Sequence, residues 1–284
     1  MVFNFRCTKF NKSVLSNALI LAKLAKLVYE TPENVKSELL HTWQANKVYC
    51  ENFENDMQFA LVRFSGGLIL VFKGTKEAPD WLVNIDSKKI VGPWGSYVHR
   101  GFYKALMENW SKTSSILRKF QSSFQEPLWI AGHSLGGALA TLAAAQFNCE
   151  KRRVKAMYSF GSPRLGNKLF CDEFNLRIPS VRFVHNEDIV PRVPKFSYEH
   201  VGDKCYFDRN KNMILNPSRQ ETLIDWMEEI NFRSLKINRN NLRRHPGGIA
   251  DHSMDCYISC LENNMSSKGT SQNPYDGFLN SVNR

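Results

Sequence analysis

The sequence predicts an α/β fold, with a mostly parallel central sheet flanked by helices. Three observations carry the prediction. Short apolar runs at 58–64, 68–72, 128–131, 154–160 and 181–185 alternate with stretches of helical spacing. Two runs, LILVF at 68–72 and LWIA at 128–131, are apolar throughout, as in strands covered on both faces. An Ala- and Leu-rich stretch at 135–147 follows the second after only a few residues, so one strand turns tightly into one helix.

The elements follow in order. Residues 14–28, VLSNALILAKLAKLV, are interrupted by Lys23 and Lys26 and are too short to span a bilayer. No signal-type cleavage pattern follows them. They predict an amphipathic helix with Leu24, Leu27 and Val28 on its buried side and Leu15, Leu19, Ala22 and Lys26 in a separate row. Pro32 breaks that pattern and introduces a polar segment. QFALVRF at 58–64 alternates as a strand, and Ser65-Gly66-Gly67 turns it back into 68–72 as a hairpin. Phe102, Leu106, Trp110, Leu117 and Phe120 predict a helix over 102–120, and further helices are expected near 166–176 and 219–230. Residues 1–261 read as a single domain. Residues 208–248, polar and rich in Asn and Arg, read as an insertion, and 262–284 as a polar tail.

Composition bounds the partners. Of the 284 residues 43% are hydrophobic and 23% charged, which excludes a disordered, collagen-like or mainly membrane-spanning chain. The 38 Lys and Arg against 27 Asp and Glu give a net charge of 38 − 27 = +11. That balance suits anionic partners, or solubility alone. The seven cysteines are odd in number and scattered, unlike a secreted disulfide framework, and read as mostly buried free thiols in a reducing compartment. The expected location is the cytoplasm or the periphery of a membrane, with export by a non-classical route left open.

The strongest motif is Gly132-His133-Ser134-Leu135-Gly136, a G-x-S-x-G pattern between the apolar strand and the Ala-rich helix. In that context the glycines let the chain turn sharply and hold Ser134 strained at the apex, above a helix N-terminus that favours negative charge. A serine hydroxyl becomes a nucleophile only when a base removes its proton. In folds with this elbow the acid follows the serine in the chain and the histidine follows the acid. Asp188, just after the strand VRFVH and stiffened by Pro191 and Pro194, is the favoured acid; Glu187 and Asp203 compete. His252, in a flexible Gly247–His252 lead-in to the helix-like MDCYISCL, is the favoured base over His200 and His245; His133 fails on chain order and is too close to Ser134 to face its side chain easily. Thr75, after the strand that ends near Gly74, and Leu135 are placed to offer oxyanion-binding amides. Trp81, Leu82 and Ile85 lie at i, i+1 and i+4 soon afterwards, which suggests a lid or lipid-contacting flap.

These motifs, taken in order, resemble the class 3 (fungal-type) triacylglycerol lipase family of α/β-hydrolases over residues 40–261. Val71-Phe72-Lys73-Gly74-Thr75 resembles the family's oxyanion strand, with Lys73 where Arg is usual. Asp80–Ile85 resembles its lid, and Val98-His99-Arg100-Gly101-Phe102 a signature that follows the lid. GHSLGG at 132–137, YSFGSPRLGN at 158–167, Asp188-Ile189-Val190-Pro191 and Asp251-His252 complete the match; 208–248 lies outside it. The resemblance implies ester hydrolysis on acylglycerols or phospholipids. Ser134 would be the nucleophile, Asp188 the acid and His252 the base, with the oxyanion on Thr75 and Leu135, and the lid residues Trp81, Leu82 and Ile85 would contact substrate. Two other readings stay open: a non-catalytic lipid-binding or signalling module, and an esterase for soluble esters.

No cofactor is expected. GSPRLGNK at 161–168 fails as a phosphate loop, because Asn167 separates Gly166 from Lys168 and Pro163 lacks an N–H. No metal is expected either, since His252, Cys256 and Cys260 stand too far apart along a helix to share one. The basic clusters Lys151-Arg152-Arg153 and Arg239 to Arg244 carry no nucleic-acid recognition motif. The expected partners are therefore a lipid or ester substrate and an anionic membrane or lipid-droplet surface, with no transmembrane segment and no nucleic acid.

Overall fold

The computed structural model of the chain describes residues 12–75, 88–194, 197–217 and 251–266. The chain opens with α1 (Lys12–Leu27) and α2 (Pro32–Ser37), which runs into a π-helical turn, Glu38–Thr42. Three strands follow: β1 (Lys47–Asn52), β2 (Gln58–Phe64) and β3 (Gly67–Phe72). After a small hairpin, β4 (Lys89–Val91) and β5 (Tyr97–His99), come α3 (Arg100–Met107) and α4 (Trp110–Phe120). The second half runs β6 (Leu128–His133), α5 (Leu135–Cys149), β7 (Ala156–Phe160), α6 (Lys168–Arg177) and β8 (Ser180–His185). It then continues through β9 (Asp203–Phe207), β10 (Met213–Leu215) and α7 (Met254–Ser266).

Eight strands form one sheet in the order β1-β2-β3-β6-β7-β8-β9-β10. Strands β3, β6, β7, β8 and β9 run parallel, while β1, β2 and β10 pair antiparallel at the two sides. Period-two alternation explains the continuously apolar runs. Ile69, Val71, Trp129, Ala131, Phe160 and Phe183 face one core with α1 and α7. Leu68, Leu70, Phe72, Leu128, Ile130 and Met157 face the other with α3 to α6.

Several expectations change. The first helix is not one-sided: Leu15, Ala18, Leu19, Ile20, Leu21, Ala22, Leu24 and Ala25 are all buried. It lies between the sheet and α7, so apolar side chains cover most of its circumference. Lys23 and Lys26 reach acids on α7, Glu262 at 2.9 Å and Asp255. Pro32 starts a helix rather than only ending one. It occupies the first turn, where a missing N–H costs nothing, and the Thr31 hydroxyl accepts from the Asn34 N–H at 3.3 Å. The helix expected over 102–120 is two helices. Asn109 between them donates through its side chain to Asn55 at 2.8 Å and to the Ala105 carbonyl at 3.5 Å, competing with the helical ladder.

Strand β10 joins the sheet from inside the segment read as an insertion, and residues 262–266 continue α7 rather than opening the tail. The helix expected at 219–230 lies outside the described residues. Six cysteines are described and no disulfide joins them: Cys171, Cys205 and Cys260 are buried, Cys50 and Cys256 half-buried and Cys149 exposed. Arg152 of the basic cluster serves the fold. Its guanidinium donates to the Phe124 and Glu126 carbonyls and lies over the Phe124 ring.

Candidate active site

Ser134 sits between the last residue of β6 and the first of α5, at φ 57° and ψ −131°. This left-handed backbone is costly for a residue with a Cβ and persists only where the surroundings impose it. Two hydrogen bonds do so: the Ser134 N–H donates to the Phe160 carbonyl at 2.9 Å, and its own carbonyl accepts from Gly137 at 2.9 Å. Gly132 makes the turn feasible, because a Cβ there would collide with the Gly136 carbonyl. The side chain of Ser134 is fully buried.

Two amides face this serine's neighbourhood. Leu135 opens α5, so its N–H has no acceptor within the helix. Strand β3 runs beside β6 with Phe72 opposite Gly132, which carries Gly74 and Thr75 past the elbow. A Cβ on Gly74 would stand 3.1 Å from the Ser134 Cβ.

Asp188 follows β8 and is completely buried. Its carboxylate accepts from His252 Nδ1 at 2.9 and 3.0 Å, from the Val190 N–H at 2.9 Å and from the Tyr257 hydroxyl at 2.5 Å. A buried carboxylate needs this many donors to offset lost hydration. Burial first, and then the negative charge of Asp188, push the Tyr257 phenol well above its usual value, so it stays a donor. With Nδ1 directed at the carboxylate, His252 presents Nε2 on its other side. Both His252 Nε2 and Ser134 Oγ are buried and without a hydrogen-bond partner among the described residues.

The two residues are held beside one stretch of chain, Phe160-Gly161. Gly161 adjoins Phe160, which holds the Ser134 amide, and a Cβ on Gly161 would lie 2.7 Å from Asp188 Oδ2 and 2.9 Å from His252 Nδ1. Gly161 itself has φ +57°. Asp251, beside His252, accepts from Asn186 at 3.2 Å and from the Glu187 N–H at 3.1 Å, and so joins the two loops.

The structure therefore brings Ser134, Leu135, Thr75, Asp188 and His252 to the carboxyl end of the parallel strands. It leaves the competitors elsewhere. His200 donates through Nε2 to the Pro191 carbonyl at 2.7 Å, and burial first, then Arg182, hold it well below the usual histidine value. Asp203 lies at the start of β9 and accepts from Asn216 at 3.1 Å. Glu187 meets Asp251 through its backbone. His245, Trp81, Leu82 and Ile85 lie outside the described residues. Sequence reasoning missed Tyr257, Gly161 and Asp251 as parts of the site, and dismissed His133; none carries a local signal, because each acts on a residue far away in the chain.

One trio among the described residues has ligand atoms close enough to share a metal: His185, Asp251 and Cys256, within 4.8 Å of one another. Its groups are already engaged. His185 Nδ1 bonds the Asp251 carbonyl at 3.2 Å, Asp251 Oδ2 accepts twice as above, and burial holds the Cys256 thiol protonated by raising its pKa. Among the described residues no helix is long and apolar enough to cross a membrane.

The parallel sheet, the serine elbow and the order of the remaining polar residues define an α/β-hydrolase fold. The family model of class 3 lipases matches residues 69–198. A lipase of Rhizomucor miehei is 28% identical over 153 residues, 50% of this chain and 42% of its own. Secreted mono- and diacylglycerol lipase 1 of Fusarium solani is 29% identical over 151 residues, 50% of this chain and 44% of its own. The chain thus spans less than half the length of both relatives. Among solved structures, a triacylglycerol lipase whose catalytic centre is described as a serine protease triad superposes with a TM-score of 0.59. It is 23% identical and covers 71% of this chain and 82% of its own. Over residues 69–198 the chain is thus similar to the class 3 lipases.

Proposed function

We propose that this chain hydrolyses carboxylic esters of acylglycerols or phospholipids through an acyl-enzyme on Ser134. The observation that carries the reading is the buried Asp188–His252 pair, whose free Nε2 shares the sheet's carboxyl end with the unpartnered Ser134 hydroxyl. His252 takes the Ser134 proton as Oγ attacks the ester carbonyl, and Asp188 stabilises the imidazolium and holds the ring. The oxyanion lies on the Thr75 and Leu135 amides. His252 then protonates the departing alcohol. In the second half it takes a proton from water, which attacks the acyl-serine, and returns that proton to Ser134 Oγ as the acid leaves. Similarity to class 3 lipases over residues 69–198 supports a lipid ester over a soluble one.

Ser134→Ala tests the chemistry. It should lower turnover by about five to six orders of magnitude and abolish labelling by a fluorophosphonate, with an unchanged circular dichroism spectrum. Near-normal turnover by a pure, folded variant would overturn the assignment, and wild-type protein that binds lipid without hydrolysing any ester would mark a non-catalytic module.

The substrate's physical state forms the second part of the proposal. Trp81, Leu82 and Ile85 would shield Ser134 in water and gain burial at a lipid surface, and the +11 charge would draw the chain to anionic lipid. Rates should then rise as an ester passes its solubility limit, and Trp81→Ser should remove that rise. Binding to anionic vesicles should exceed binding to zwitterionic ones and weaken with salt. A smooth rate curve, unchanged by Trp81→Ser, would make the segment a fixed wall.

A further inference from the structure

Three segments must be in register for the proposed reaction: the strand exit bearing Thr75, the elbow bearing Ser134, and the loop bearing His252. They are distant in sequence, and one run of contacts ties them together. The Tyr29 hydroxyl, just past the end of α1, packs against Gly74, where a Cβ would collide with it, and lies 2.8 Å from His133 Nδ1. The other ring nitrogen, His133 Nε2, lies 2.7 Å from the His252 carbonyl. A carbonyl only accepts, so Nε2 carries the proton. Burial first, and then the adjacent His252, hold His133 well below the usual histidine value, so the ring is neutral. Nδ1 is then an acceptor, and Tyr29 donates to it. The direction of each bond follows: Tyr29 O–H to His133 Nδ1, and His133 Nε2–H to the His252 carbonyl, with the Tyr29 oxygen set against Gly74.

Each contact falls on or beside a reacting residue. Gly74 precedes Thr75, His133 precedes Ser134, and the last acceptor is His252 itself. The His133 and His252 rings also pack at 4.4 Å between centroids, inclined by 33°, so the neutral ring supports one face of the base. A network in the dry interior holds geometry more firmly than its separate bonds would, and small displacements between reacting groups cost large factors in rate.

We infer that Tyr29 and His133 are positioning residues, which fix the oxyanion strand exit, the nucleophile elbow and the base loop relative to one another through this run of contacts. The inference rests on the ester-hydrolase reading above. Neither residue touches the reacting atoms. They act on kcat, through the distance from Ser134 to His252 and to the oxyanion donors, and not on KM for a small ester.

The experiment uses the full chain, a soluble short-chain p-nitrophenyl ester, and four proteins: wild type, Tyr29→Phe, His133→Leu and His133→Gln. Tyr29→Phe removes one oxygen and should lower kcat about tenfold with KM within about twofold. His133→Leu should lower it about a hundredfold. The amide of His133→Gln can still donate to the His252 carbonyl and should recover about tenfold over leucine. Thermal unfolding separates this from a merely structural role, in which activity would track the folded fraction and glutamine would rescue nothing. Should His133→Leu not fold, Tyr29→Phe and His133→Gln carry the test. Wild-type kcat in folded Tyr29→Phe and His133→Leu, or losses confined to KM, would overturn the inference while fluorophosphonate labelling of wild-type Ser134 left the hydrolase reading standing. Wild-type protein that neither labels nor hydrolyses ester would overturn both.

Discussion

The antiparallel flank of the sheet and the carboxyl end of its parallel strands are built on opposite principles. In β2 the buried side chains, Phe59, Ala60, Leu61 and Val62, are all apolar, β1 beside it is only half-buried, and the register simply closes a hairpin ladder. The flank's main polar tie is Arg63 to Glu126, bidentate at 2.9 and 2.7 Å, which fastens β2 to the turn before β6. At the parallel end the buried groups are Ser134, Asp188, His252 and His133, with left-handed backbone at Ser134 and Gly161. Stability in the first region comes from area removed from water, whereas the second holds desolvated polar groups in place by mutual hydrogen bonds. Substitutions should therefore separate the regions: the flank loses stability and keeps chemistry, the strand ends lose chemistry and keep most of the stability.

Beyond Ser134 itself, the largest effects should come from the acid and base. Asp188→Asn should lower turnover by about four orders of magnitude and His252→Ala by about six, and the double variant should be little worse than the poorer single, since the groups act as one unit. Multiplicative losses in kinetic assays of the purified variants would show that they act separately. If His200→Ala were the crippled variant instead, the base would be misassigned.

Gly161→Ala tests how crowded the end is. The methyl group would press on Asp188 Oδ2 and His252 Nδ1 and strain a backbone at φ +57°. Turnover should fall about a hundredfold while the unfolding midpoint moves by only a few degrees. Full activity in this variant would mean the two side chains have room that the packing denies.

In the flank, Leu61→Ala should do the reverse. Leu61 is fully buried opposite Tyr49 and Leu70, so its truncation should cost about 2–5 kcal/mol in denaturant unfolding. Activity per folded molecule should stay at the wild-type value. A loss of specific activity would show the two regions to be mechanically coupled.

The smallest effect concerns Arg63 and Glu126. Burial raises the Glu126 carboxyl, but the Arg63 and Ser122 hydrogen bonds outweigh it and the net value is lowered. A depressed folded value contributes stability above the unfolded value of about 4.3 and loses it as pH falls through the folded value. Glu126→Gln should therefore cost about 1 kcal/mol at neutral pH, with the gap to wild type closing in acid. A gap that stays constant down to about pH 2 would show that the carboxylate charge is irrelevant to the tie.

Much of this was legible in the residues. GHSLGG between an apolar run and an Ala-rich helix located Ser134, because the turn itself demands glycine at fixed offsets. Asp188 and His252 could be ordered along the chain, but their pairing could not be read from it, since they are 64 residues apart and meet only when β8 and α7 close on the same end of the sheet. His133 was set aside as too close to Ser134 to face its side chain. It faces instead the backbone of His252, a contact across 119 residues. The first helix misled for a related reason. Its pattern suggested one buried side, yet α7 covers the face that two lysines appeared to open to water.

The sequence alone determined the local structure: which runs are strands covered on both faces, where the chain must turn on glycine, and which serine sits at the apex. These follow from side-chain period and backbone sterics over a few residues. Tertiary structure decided the partners. Tyr257 on Asp188, Tyr29 on His133, Asp251 across the two loops and β10 at the sheet's far side all join residues with no local relation. A buried hydrogen bond gains its worth from the exclusion of water, and only the assembled sheet and helices exclude it.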